Sequence, residues 1–301
     1  MKKLKFDKLS PGPLIIIMAI AVLFAVPVRM FQYTSCLEAS TGFWLAKDFT
    51  VYILYILCAV IVALSFIISL FSGVMHAPQF DDEKDIPLGI FSVIFAITLV
   101  ADAILQISKF LALYDAYPID GGMTLFRYIL TSGTFAVGLQ ILFGILAAVY
   151  IAFVAYSYFF GNGAFKKRKL LAVCPAVYAM GRLAYHFIDP ISYKNVSQLF
   201  LQIIMLIFMI LFTFSFARLA SGINAEKSMW LLWFSGISGS FMAYVVALAP
   251  IILTVSGKGY MLPTNYPVHY CDLAFALFTT AFLFTVMPRT VSRKADSGEK
   301  A

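Results

Sequence analysis

The chain has 301 residues, of which 62% are hydrophobic and only 12% charged, and its mean hydropathy is +0.91. Soluble domains carry about 45–50% apolar residues, so a water-soluble fold is excluded; recurrent apolar runs of about 20 residues also exclude a β-barrel, whose strands would be about 10 residues of alternating polarity. The net charge of +7 does not indicate a nucleic-acid partner, because the basic residues form short clusters beside apolar segments, the pattern that orients helices in a bilayer.

Lys2, Lys3, Lys5 and Lys8 precede an apolar run over 14–28. This is the layout of a signal peptide's charged and hydrophobic regions, but no small-x-small cleavage site follows, and the run reads as a first span. Arg29 opens a loop containing Phe43 and Trp44, which suit an interfacial belt, and a second span covers 49–75. The segment 76–87, HAPQFDDEKDIP, is too polar for lipid. Its Asp81, Asp82, Glu83 and Asp85 lack the glycine and spacing of an EF-hand, so they read as a solvated acidic loop whose final proline starts the next helix.

The third span, 88–114, contains Asp102, Gln106 and Lys109 at i, i+4 and i+7, on one helical face. After a loop with Pro118, Gly121 and Gly122, residues 124–130 lie along the interface, and a fourth span covers 134–160. Lys166, Lys167, Arg168 and Lys169 form the densest basic cluster and anchor the cytoplasmic side. The fifth span, 170–188, begins the stretch CPAVYAMGRLAYHFIDP, in which Tyr178, Arg182, Tyr185 and Asp189 follow i, i+4, i+7, i+11 spacing beside His186.

A sixth span covers 196–219, and a seventh 229–255, with Trp230 and Trp233 at the interface and Gly236 and Gly239 permitting close helix contact. An eighth covers 271–287, and residues 288–301 form a short charged tail. The expected architecture is an all-α integral membrane protein: one polytopic domain over 1–287, a bundle of about eight helices without a soluble domain. With eight spans, fifteen of the 22 Lys and Arg fall on the side of both termini and five on the other, so both ends are expected in the cytoplasm. Compact loops suggest a bacterial inner membrane. A faint echo between halves, Ser72-Gly73 with Glu83-Lys84 and Ser221-Gly222 with Glu226-Lys227, is compatible with a parallel duplication.

Ionisable residues at membrane depth are rare and mark candidate functional sites. The rise along a helix places Asp102 about 21 Å and Arg182 about 18 Å from the inner ends of their spans, with Lys109 and Asp189 both near 30 Å. Opposite signs at matching depth predict that Asp102 neutralises Arg182 and Lys109 neutralises Asp189, the third and fifth spans facing each other. Gln106, Gln140, Gln198 and Gln202 fall in the same outer half.

The expected site is therefore an outward-opening polar pocket over an apolar inner half, built from Arg182, Asp102, Gln106, Lys109, Tyr178, Tyr185, His186, Asp189, Gln140 and Gln202. It suits a carrier or receptor for a small polar or anionic ligand, anchored by the guanidinium fork of Arg182, with Asp102 or His186 changing protonation. The alternative is a non-catalytic membrane subunit or scaffold in which the charges are structural ion pairs and the partner is another membrane protein.

No recognised catalytic motif is present. A metal set of His186, Asp189, His269 and Asp272 is conceivable, but neither metal nor cofactor is expected from three histidines in all. Cys58 and Cys174 read as small buried residues; Cys36 and Cys271, both near the outer surface, are candidates for a disulfide.

Overall fold

The computed structural model describes residues 12–38, 43–45, 49–71, 84–118, 123–188, 196–223, 225–262 and 268–291, with backbone only at 196, 225–227 and 286–291. Regular structure among them is helical, apart from an isolated bridge between Leu37 and Trp44. In chain order the α-helices are α1 (Gly12–Phe31), α2 (Phe49–Phe71), α3 (Ile86–Asp115), α4 (Leu125–Thr131), α5 (Thr134–Phe160), α6 (Cys174–Ile188), α7 (Val196–Ala220), α8 (Ala225–Val255) and α9 (Tyr270–Val291). Seven segments, α1 to α3, α5, α6 together with the 3-10 turn that leads into it (Leu171–Ile188), α7 and α8, are long and apolar enough to cross a membrane. That is the profile of a multi-pass membrane protein.

The expected eighth span corresponds to α9, whose described apolar stretch, Tyr270–Thr285, is shorter. The backbone of α9 as a whole, 22 residues, rises about 33 Å, comparable with about 30 Å for a hydrocarbon core. The expected interfacial segment is the short α4, whose N-terminus is capped by the Thr124 hydroxyl accepting from the Arg127 amide at 3.4 Å.

Polar contacts at one end of the bundle fix the relative directions of three helices. Asp85 caps α3 by accepting from the Leu88 amide at 3.0 Å, and Pro87 occupies the first turn, where its missing N–H costs nothing. The other oxygen of the Asp85 carboxylate accepts from the Thr285 hydroxyl of α9 at 2.7 Å, and its amide donates to the Tyr158 carbonyl of α5 at 3.0 Å. The start of α3 therefore meets the ends of α5 and α9. Asp85→Ala removes the cap and the α9 tie together, and a loss of about 1–2 kcal/mol is expected in detergent unfolding, where Thr285→Val should lose less.

α8 is the most enclosed span and α2 the most exposed. The reason lies in its small residues. A Cβ on Gly239 would come within 3.2 Å of Phe208 on α7, and one on Gly236 within 3.1 Å of Leu283 on α9, so both helices close directly onto the α8 backbone. Around this contact an aromatic cluster fills the half of the bundle nearer Asp85, with Phe216 against Phe282 at 5.0 Å and Phe95 against Phe278 at 5.5 Å.

Three expectations are corrected. Trp233 is fully buried rather than interfacial, whereas Trp230 remains exposed. Arg29 belongs not to a loop but to α1, which continues into a π-helical turn over Gln32–Cys36, and it is buried. Cys36 and Cys271 are both buried and not joined to each other, so the proposed disulfide is not formed.

Candidate functional site

The charged site is built where α3, α6 and α9 converge beside α5. α3 and α6 do not pack along each other as expected: each lies chiefly against α5, and α3 also against α9. Their side chains meet past Gly144 of α5, where an added Cβ would touch the Tyr178 ring at 3.3 Å and Ala103 at 3.7 Å. Through this gap the Tyr178 hydroxyl donates to Asp102 Oδ2 at 2.6 Å.

The partner of Arg182 is not Asp102. Its Nη1 and Nη2 donate to Asp272 Oδ1 and Oδ2 of α9 at 2.5 and 3.1 Å, a bidentate pair with the guanidinium residue 3% exposed. The physical reason is geometry: two parallel N–H donors match two carboxylate oxygens, and a fork–fork contact in a dry interior outweighs a single contact at similar depth. Asp102, 7% exposed, is left with Tyr178 and, at 3.8 Å, His269 Nδ1, whose side chain is 20% exposed. Cys271 Sγ lies 3.7 Å from the same Tyr178 hydroxyl.

The second expected pair, Lys109 with Asp189, cannot be followed, since Asp189 lies outside the described residues. Lys109 places its ammonium 3.5 Å from the centre of the Tyr185 ring, a cation–π contact between α3 and α6. His186 is half-buried and within electrostatic range of Arg182, His269, Asp272 and Lys109.

The glutamines divide. Gln140 clamps α5 to α6, its Nε2 donating to the Ala136 and Gly181 carbonyls at 3.2 and 3.3 Å. Gln106 is buried one turn beyond Asp102 with Oε1 unpartnered among the described residues. Gln202 is buried on α7 and makes no hydrogen bond to Asp102 or Arg182. Of the ten expected residues, Asp102, Tyr178 and Arg182 thus form one cluster, with His186 at its edge, and Asp272, His269 and Cys271 complete it. Among the described residues no three potential metal ligands come together.

A second polar cluster was not anticipated. Arg29 of α1, 1% exposed, donates from Nη1 to Gln32 Oε1 at 2.8 Å and from Nη2 to Gln198 Oε1 of α7 at 2.7 Å. The sequence signal was present: Arg29, Gln32 and Tyr33 share a helical face at i, i+3 and i+4. Assigning Arg29 to a loop concealed it.

No known protein family, curated protein or solved structure matches the chain. The functional reading therefore rests on these residues alone.

Proposed function

We propose that the protein is a membrane carrier or receptor for a small polar ligand, handled between α3, α6 and α9 with Asp102 as its charged centre. The supporting observation is the charge arrangement. Asp272 occupies both arms of Arg182, so the second buried carboxylate, Asp102, is in direct contact with a phenol and near His269, and meets Arg182 only through space. A buried carboxylate with no cation in direct contact attracts a further positive charge, which a protonated histidine or a ligand ammonium supplies. The ligand class consequently shifts from the anion that a free Arg182 would take to a neutral or positively charged polar molecule. Half-buried His269 and His186 lead a proton or ligand inward. With α9 as an eighth span, the distribution of Lys and Arg favours both termini in the cytoplasm and the site in the outer half of the membrane, and the short loops favour a bacterial inner membrane.

Thermal unfolding of the full chain in mild detergent tests this against a panel of small amines, amino acids and neutral polyols. At least one amine-bearing compound is expected to raise the midpoint saturably, and Asp102→Asn to abolish that response while keeping the helical circular dichroism. A flat response across the panel would favour a second reading, a non-catalytic subunit or scaffold. The closed bidentate pair of Arg182 and Asp272 supports that alternative, since it suits a structural tie between α6 and α9.

A further inference from the structure

Arg29 differs from Arg182 in one respect that matters: its described partners are all neutral. Two glutamine carbonyl oxygens take its terminal nitrogens, and the Tyr33 ring lies 4.7 Å from the guanidinium carbon. Among the described residues no carboxylate pairs with it. A full positive charge, 1% exposed, is thus left inside the bundle without a carboxylate partner among the described residues. An uncompensated buried ion is costly, and a bound counter-ion removes that cost.

Two further donors are unused. Arg29 Nε and Gln198 Nε2 are both buried and without an acceptor among the described residues. The orientation of the Gln198 amide follows from its neighbours, because Oε1 accepts from Arg29 Nη2 at 2.7 Å and from the Tyr33 hydroxyl at 2.9 Å. A reversed amide would set N–H groups against the guanidinium, so Nε2 must be the free end. Arg29 Nε and Nη2 share one edge of the guanidinium, the edge that receives oxyanions side-on. Covalent geometry around the Nη2–Oε1 contact holds Nε and Gln198 Nε2 within about 7 Å of each other. One oxyanion with oxygens about 2.2 Å apart, accepting at about 2.9 Å from each donor, bridges up to about 8 Å.

We propose that Arg29 and Gln198, with Gln32 and Tyr33 orienting them, form a binding site for a single carboxylate or phosphate group where the end of α1 meets the start of α7. The site stands apart from Asp102 and does not depend on the function proposed for it. Its position, with Arg29 in the last turn of α1, suits either a phospholipid headgroup or a soluble oxyanion, which share this chemistry.

The test uses the full chain in neutral detergent, with unfolding followed by tryptophan fluorescence. Inorganic phosphate and acetate probe the soluble source, phosphatidylglycerol added to the micelles probes the lipid source, and chloride at equal ionic strength is the control. Saturable stabilisation by several degrees with one source is expected. Arg29→Gln should abolish it, and Gln198→Leu should weaken apparent affinity about tenfold, the loss of one donor to a charged group. Asp102→Asn should retain it, which separates this site from the first. Stabilisation by chloride equal to that by the oxyanions would overturn the proposal, as would no response in the native chain or a full response in Gln198→Leu. If Arg29→Gln fails to fold, the native chain and Gln198→Leu still decide the question.

Discussion

Arg182→Leu is expected to destabilise the chain by about 3–5 kcal/mol, and Arg182→Leu with Asp272→Leu to recover most of that loss. The single change leaves the Asp272 carboxylate fully buried without its two guanidinium donors. The double change replaces a desolvated ion pair with apolar side chains of comparable bulk, which is often neutral. A double-mutant cycle by thermal unfolding in detergent measures the coupling. Asp102→Leu serves as the comparison: were Asp102 the true partner of Arg182, the rescue would appear with that substitution instead. Recovery with Asp102→Leu and none with Asp272→Leu would contradict the bidentate pair.

Gly144→Leu is expected to cost a similar amount, about 3–5 kcal/mol, by a different route. An alanine Cβ at this position already lies 3.3 Å from the Tyr178 ring, and the next three carbons of leucine would occupy the ring's own place. Overpacking contributes about 1–3 kcal/mol. Displacing Tyr178 also removes its 2.6 Å bond to the Asp102 carboxylate, a charge-assisted bond worth about 1.5–3 kcal/mol. Gly144→Ala should stay near native stability, because a small shift of the ring relieves the contact. In a Tyr178→Phe background, Gly144→Leu should lose only the packing component. Equal losses in both backgrounds would show that the hydroxyl bond plays no part.

Much of the fold was legible in the chain. The ends of α5 and α6 fall where the apolar runs begin and stop, and the aromatic half and the charged half separate as the depth of Asp102 and Arg182 implied. Partners were less legible. Asp272 was visible as a carboxylate at the head of the last apolar run, yet it was weighed only as a metal-ligand candidate beside His269. The first turn of α9 lies in the interior, where Asp272 is fully buried, and delivers that carboxylate to Arg182. Arg29 was missed for the converse reason: a charge near the end of an apolar run reads as a boundary, and here α1 continues past it into the π-helical turn.

Helix positions, and the separation of polar from aromatic halves, were determined by the sequence alone, because lipid forces every backbone group into local hydrogen bonds and the rise per residue converts chain position into depth. Which charges meet was decided only in the tertiary structure. That choice depends on where small residues such as Gly144, Gly236 and Gly239 let helices close, and on how deep in the bundle the first turn of α9 lies. These are relations between segments distant in the chain. No local pattern encodes that Arg182 turns to Asp272, that Asp102 is left to Tyr178 and His269, or that Arg29 meets Gln198.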